Sequence, residues 1–226
     1  MYISEVAQKI DHTLLKPDAQ ISQIRELCRE ALHYQFKAVC IHSIYVKFAS
    51  TLLAKSDVKT CSVVGFPLGA HLSEIKKKEA ELALKYGAQE IDMVINISAL
   101  KNKEYKFAEK DIKSVVDVCK ANDAICKVII ETAFLNKDEK IRICEIAIRA
   151  GADFIKTSTG YAKSGAKTSD IKLIRQITQN TSVKIKASGG IKSLAKMQEM
   201  LKAGASRIGT SSGVAIIREA LDSESN

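Results

Sequence analysis

Short apolar runs of β type recur along this chain at similar spacing, each followed by a segment with helical periodicity. No other feature restricts the fold as strongly. The runs occupy residues 11–15, 37–41, 60–64, 90–95, 127–131, 153–157, 183–187 and 206–210. Between them, Ile141, Cys144 and Ile148 follow helical spacing, as do Ile191, Leu194, Met197 and Leu201. Asn136 followed three residues later by Glu139 reads as a capping box that opens the first of these helices. A weak repeat, Tyr86-Gly87-Ala88, Ala150-Gly151-Ala152 and Ala203-Gly204-Ala205, each followed three residues after its Ala by Ile, reports helix-to-strand turns with glycine in the left-handed position. Strands apolar on both faces belong to parallel sheets covered by helices. Eight such strands alternating with eight helices predict a (β/α)8 TIM barrel, with residues 1–226 forming a single domain. A doubly wound open sheet is the main competitor, but no Gly-x-Gly-x-x-Gly follows the first strand.

Composition removes several other classes. With 46% hydrophobic residues in 226, the chain has ample material for a core, so disorder is excluded. The longest uncharged, mostly apolar run lies near residues 62–72, well short of the ~20 residues a membrane helix needs. Charges at Glu5, Lys9 and Asp11 break any early apolar segment, so no signal peptide is visible and a soluble, cytoplasmic protein is expected. Six cysteines show no Cys-x-x-Cys pair; three fall in helical and three in strand-like segments, which suits buried reduced thiols. His12, His33, His42 and His71 never reach His-x-x-x-His spacing, so neither a protein-held metal nor a cofactor is expected. A net charge of +9 admits nucleic acid as a partner, yet 28 of the 35 basic residues are Lys and most, as in Lys76-Lys77-Lys78, sit at helix-surface spacing. A solvated basic surface, compatible with an anionic small substrate, is the better reading.

The chemistry is expected where charges interrupt the strands. A barrel lumen is normally filled by Val, Ile and Leu, and an unpaired charge there is costly, so charged residues at lumen parity are paired or functional. Lys156 interrupts an apolar strand and leads into a turn at Gly160. Lys184 and Lys186 share one face of the next strand, Asp92 lies two strands earlier, and Lys127 and Glu131 flank Ile129 at matching parity between them. Lys156 and Lys186 fall near the C-terminal ends of adjacent strands, where barrel active sites are built. A free lysine titrates near ~10.4, so an amine nucleophile at pH 7 needs a depression of roughly three units, about 4 kcal/mol. A neighbouring cation in a partly desolvated pocket supplies such a depression. This constellation describes Schiff-base chemistry on a carbonyl compound.

The segments Asp11-His12-Thr13-Leu14-Leu15, Val63-Val64-Gly65-Phe66-Pro67, Glu90-Ile91-Asp92-Met93-Val94, Phe154-Ile155-Lys156-Thr157-Ser158-Thr159-Gly160, Lys186-Ala187-Ser188-Gly189-Gly190 and Arg207-Ile208-Gly209-Thr210-Ser211-Ser212-Gly213 resemble the deoxyribose-phosphate aldolase family, in order and over nearly the whole chain. The resemblance implies that Lys156 forms the Schiff base, Lys186 tunes it and Asp92 moves protons. The implied reaction is reversible, metal-free cleavage of 2-deoxy-D-ribose 5-phosphate to D-glyceraldehyde 3-phosphate and acetaldehyde, in deoxyribonucleotide catabolism. Asp11, Thr13 and Cys40 match positions near the substrate, although Cys40 fits equally well as a packing residue. Gly160, Gly189, Gly190 and Gly209 would let backbone N–H groups approach the phosphate, with Ser211 and Ser212 at the start of the last helix. A plain helix cap is the alternative for the serine pair. The partner would be a small phosphorylated sugar, with no nucleic acid and no membrane, and a homo-oligomer such as a dimer is compatible.

Two positions depart from the family pattern. Tyr161 stands where some members carry a phosphate-facing Lys, for which Lys163 is a candidate replacement, and Lys184 adds a lumen-parity charge. A phosphate-binding barrel isomerase or epimerase would share the fold but leave the lysine pair unexplained. A non-catalytic basic barrel that binds nucleic acid or a protein would make the lumen charges structural.

Overall fold

The structure, a computed structural model, describes residues 3–224. Its strands are β1 (Ile10–Leu14), β2 (Ala38–Ile41), β3 (Lys59–Val64), β4 (Glu90–Val94), β5 (Ile125–Ile129), β6 (Phe154–Lys156), β7 (Lys184–Ser188) and β8 (Arg207–Thr210). They pair in chain order, all parallel, and β8 closes onto β1 to complete the barrel. The crossover and closing helices are α2 (Ile21–Tyr34), α3 (Val46–Leu53), α4 (Ser73–Lys85), α6 (Tyr105–Lys120), α7 (Lys137–Ala150), α8 (Thr168–Thr178), α9 (Leu194–Ala203) and α10 (Gly213–Glu224). Two five-residue helices join them: α1 (Ile3–Ala7) before β1 and α5 (Ile97–Lys101) after β4. One turn of helix is too short for a periodic signal, so the expected count of eight omits both.

Local chemistry sets the element ends. Asn136 accepts the Glu139 N–H at 2.9 Å while the Glu139 carboxylate accepts the Asn136 N–H at 2.8 Å, a reciprocal cap on α7. That helix stops at Gly151, whose φ of 86° suits only a residue without Cβ. The wall strands are buried on both faces: every residue of β2 and β4 is inaccessible. Outward residues such as Val39, Ile41, Ile91, Met93 and Val128 pack with helix residues such as Ile112, Val115 and Ile143 in one core.

The inward residues divide the lumen into two halves. On one side Ala38, Cys40, Cys61 and Val63, with Leu15 and Phe66, form a separate apolar cluster of small side chains. Opposite them lie the charges of β4 through β8 and β1. One helix lysine is also inside. Lys76, expected on the helix surface with its exposed neighbours Lys77 and Lys78, is fully buried. Its ammonium reaches Asp111 at 2.6 Å and donates to the Val94 carbonyl at 3.0 Å, bracing the end of β4. A helix face turned toward an acidic partner on α6 overrides what spacing alone suggests.

Candidate active site

Strand register brings the expected residues together. Lys156 and Lys186 are Cα partners across β6 and β7, Asp92 pairs with Lys127 across β4 and β5, and Asp11 pairs with Gly209 across β1 and β8. Side chains at matched positions on adjoining parallel strands point the same way, here into the lumen. The Asp92 carboxylate is the hub. Its Oδ2 accepts from Lys156 at 2.7 Å and from Lys186 at 2.7 Å. Its Oδ1 accepts from Lys127 at 2.8 Å and from the Cys61 thiol at 3.1 Å. Lys186 also donates to Asp11, whose other oxygen accepts from Arg207 at 2.7 Å. Glu90, two residues nearer the start of β4, binds Lys127 at 2.6 Å and Arg207 at 3.1 Å. Gly209 makes room for this layer: an added Cβ would lie 3.0 Å from Lys186 Cε.

Desolvating each lone ion would cost several kcal/mol, which only this mutual pairing offsets. Burial alone would push the Asp92 carboxyl up, yet Lys127, Lys156 and Lys186 hold it well below the usual carboxylate range. Asp11 is likewise held down, against burial, by Lys186, Arg207 and Lys127. Burial would lower Lys186, but Asp11 and Asp92 override it and keep the ammonium charged far into the alkaline range. The layer contains four basic groups, Lys127, Lys156, Lys186 and Arg207, against three carboxylates, Asp11, Glu90 and Asp92. Loss of one proton from a base leaves it balanced.

Above this layer a cavity of about 490 Å³ opens at the C-terminal ends of β1, β6, β7 and β8. Lys156 forms part of its floor and is the only base of the buried layer to do so. Thr13, Gly160, Gly189, Gly190, Gly209 and Ser211 line it. Backbone close packing shapes the rim: a Cβ on Gly165 would fall 2.1 Å from the Gly189 carbonyl, so the two loops fit only with glycine there. Glu131 holds the other side. It sits beyond β5 in a left-handed conformation, φ 52°, and accepts the Thr159 N–H at 3.1 Å and the Thr159 hydroxyl. That conformation costs a non-glycine residue on the order of 1 kcal/mol and ties the turn after Lys156 in place.

Several expectations need correction. Asp11 and Cys40, expected near the substrate, do not line the cavity; Cys40 Sγ is 3.8 Å from Asp92 and packs in the small-residue half. Ser212 does not line the cavity; it borders a surface recess with His12 and Arg218 that Ser211 also reaches, and its N–H donates to Thr210 Oγ1 at 2.9 Å. Lys163 does not line the cavity, whereas Lys16 and Lys192, which sequence reading passed over, do. Lys184 is exposed, with its ammonium 5.9 Å from the Phe154 ring centroid, because the first residue of β7, paired with Phe154, sits at the N-terminal rim of the barrel, away from the cavity. Glu131 does not share the lumen with Lys127, because the chain leaves the sheet after Ile129. Arg207 and Glu90 carry functional-layer charges without having been singled out; both follow from the same lumen-parity rule that marks Asp92. Among the described residues the one cluster with metal-ligand atoms is Cys40, Cys61 and Asp92, and three ammonium groups already occupy that carboxylate. This donor set does not fit a cation.

Fold and site together define a (β/α)8 barrel with a lysine-rich buried layer under a cavity at its C-terminal mouth. Residues 5–223 match the family described as DeoC/LacD family aldolase, and the chain belongs to that family. It is 50% identical over 212 residues to a deoxyribose-phosphate aldolase of Clostridium perfringens SM101, covering 94% of each chain. It is 48% identical over 223 residues to the deoxyribose-phosphate aldolase of Carboxydothermus hydrogenoformans, covering 98% of this chain and 97% of the relative. Among solved structures, the tetrameric deoxyribose phosphate aldolase of Aeropyrum pernix superposes with a TM-score of 0.91 at 34% identity, covering 97% of this chain and 92% of that one. The chain is therefore an aldolase, a lyase.

Proposed function

We propose that this aldolase cleaves 2-deoxy-D-ribose 5-phosphate reversibly to D-glyceraldehyde 3-phosphate and acetaldehyde through a Schiff base on Lys156, as a step of deoxyribonucleotide catabolism. One observation carries the mechanism: of the four bases in the lumen layer, only Lys156 reaches the cavity floor. Its amine adds to the C1 aldehyde and water leaves, forming an iminium. Loss of the C3 hydroxyl proton then breaks the C2–C3 bond, and that electron pair moves into an enamine with the iminium nitrogen as sink. Protonation of the enamine carbon and addition of water release acetaldehyde and free the amine. Asp92, shared by Lys156 and Lys186 at 2.7 Å each, is suited to move these protons.

The glycine-rich turns and Ser211 suit the phosphate, with Lys16 and Lys192 adding positive charge at the mouth. On this reading residues 1–226 act as one catalytic barrel, and the substrate, not nucleic acid, accounts for the anionic partner. The six cysteines are all buried and free, which supports a reducing, cytoplasmic setting. No helix among the described residues is long and apolar enough to cross a membrane. The similarity to a tetrameric relative supports assembly of this chain with copies of itself. The test is direct: incubation with 2-deoxy-D-ribose 5-phosphate should release acetaldehyde in proportion to the sugar phosphate consumed. Intact substrate after incubation with folded protein would refute the proposed activity.

A further inference from the structure

Lys127 has no place in the reaction as written, yet it is among the largest fully buried side chains in the molecule. It lies one strand from Lys156 and does not line the cavity, so it cannot touch substrate. Carboxylates surround it on two strands and a thiol on a third. Glu90 is at 2.6 Å and Asp92 at 2.8 Å on β4, Asp11 is at 4.0 Å on β1, and the Cys61 thiol on β3 is at 3.4 Å. On its own strand it follows the buried Cys126 thiol, and the uncharged Phe154 is its partner on β6.

The Asp92 carboxylate is divided by this arrangement. Oδ1 is occupied by Lys127 and Cys61, which leaves Oδ2 alone to bridge Lys156 and Lys186. Without an ammonium on Oδ1 the carboxylate is free to rotate and give each of the other lysines its own oxygen. The shared geometry would then be lost. Without Lys127 the layer would hold three bases against three carboxylates.

We infer that Lys127 is a positioning residue: it pins one oxygen of Asp92 so that the other serves both reactive-layer lysines, and its charge leaves the layer with one proton more than balance requires. This rests on the Schiff-base reading of Lys156. Carboxylates hold Lys127 itself in the charged form despite its burial, so the device is permanent across the working pH range.

The inference is tested by Lys127→Met, a neutral side chain of similar length, using the pH dependence of kcat/KM for 2-deoxy-D-ribose 5-phosphate. Removing this cation favours the protonated form of both Asp92 and the neighbouring amines. The acidic limb should therefore move to higher pH by about one unit, with a roughly tenfold loss at pH 7. KM should change little, because Lys127 does not reach the cavity. If this variant does not fold, Lys127→Gln, which is also neutral but keeps a donor for the buried carboxylates, should show the same shift. An unmoved limb in a folded variant, whatever the loss of rate, would overturn the inference. Borohydride labelling by acetaldehyde keeps the two readings apart. A wild-type chain that labels at Lys156 while the variant's limb stays put refutes the role of Lys127 alone, whereas a wild-type chain that does not label refutes both.

Discussion

Lys156 and Lys186 are strand partners, and only Lys156 opens onto the cavity. Both reach Asp92 Oδ2 at 2.7 Å, but Lys186 is also paired with Asp11 and closed off from the cavity. Its charge is secured by two carboxylates, which on the proposed mechanism makes it the fixed cation beside the reactive amine. Replacing it by the neutral Lys186→Met should move the acidic limb of the rate profile to higher pH by one to two units, worth about 1.4–2.7 kcal/mol and roughly ten- to hundredfold in rate at neutral pH. A drop in rate with the limb in place would show that Lys186 participates in proton transfer or binding and does not tune the amine. Lys184 shows how narrow the sequence signal is at this scale. It has the same parity as Lys186, but one turn of the pleat nearer the strand start places it in solvent. Parity identifies a face of a strand; only the height of the barrel wall decides whether that face is inside.

At the scale of elements, most of the architecture was legible. The apolar runs match all eight strands to within a few residues, because strands covered on both faces must be apolar wherever they are not functional. Asn136, Glu139 and Gly151 mark the ends of α7 as their chemistry requires. The short helices α1 and α5 left no periodic trace, and Lys76 concealed its burial because Asp111 lies 35 positions away in sequence. The site was legible to a similar depth. The turns after β6, β7 and β8 carry glycines visible in the sequence, but which side chains look into the cavity depends on how the loops stack, as Gly165 against Gly189 does. This separates two neighbouring serines. Ser211→Ala should raise KM for 2-deoxy-D-ribose 5-phosphate by roughly tenfold or more, the value of a hydrogen bond to a charged group at about 1.5–3 kcal/mol, and spare the unphosphorylated sugar. Ser212→Ala should leave that ratio unchanged. Steady-state kinetics on both sugars settles the matter, and equal losses on both for Ser211→Ala would remove it from the phosphate site.

Across the whole molecule, the barrel devotes half of its lumen to charge and the other half to small apolar side chains that make room for it. Such a core links stability to pH in a definite direction. Asp11 and Asp92 titrate below their unfolded values, so what they contribute is present above about pH 4 and lost as acid protonates them. Lys127 and Lys186 titrate above theirs, so their contribution is full below about pH 10 and lost only as pH rises through the folded values. Asp92→Asn, which strips three ammonium groups of their shared carboxylate, should lower stability by about 3–5 kcal/mol near neutral pH. In denaturant unfolding the gap to wild type should narrow below about pH 4; a gap that widens there would contradict the ionic account of the lumen. On the proposed mechanism all of this organisation serves one amine on the cavity floor, and trapping tests that claim most directly. Reduction with borohydride in the presence of acetaldehyde should add a single ethyl group to the intact chain, and peptide mapping should place it on Lys156. A label on Lys186 would reverse the roles of the two lysines, and a chain that takes up no label would contradict Schiff-base catalysis altogether.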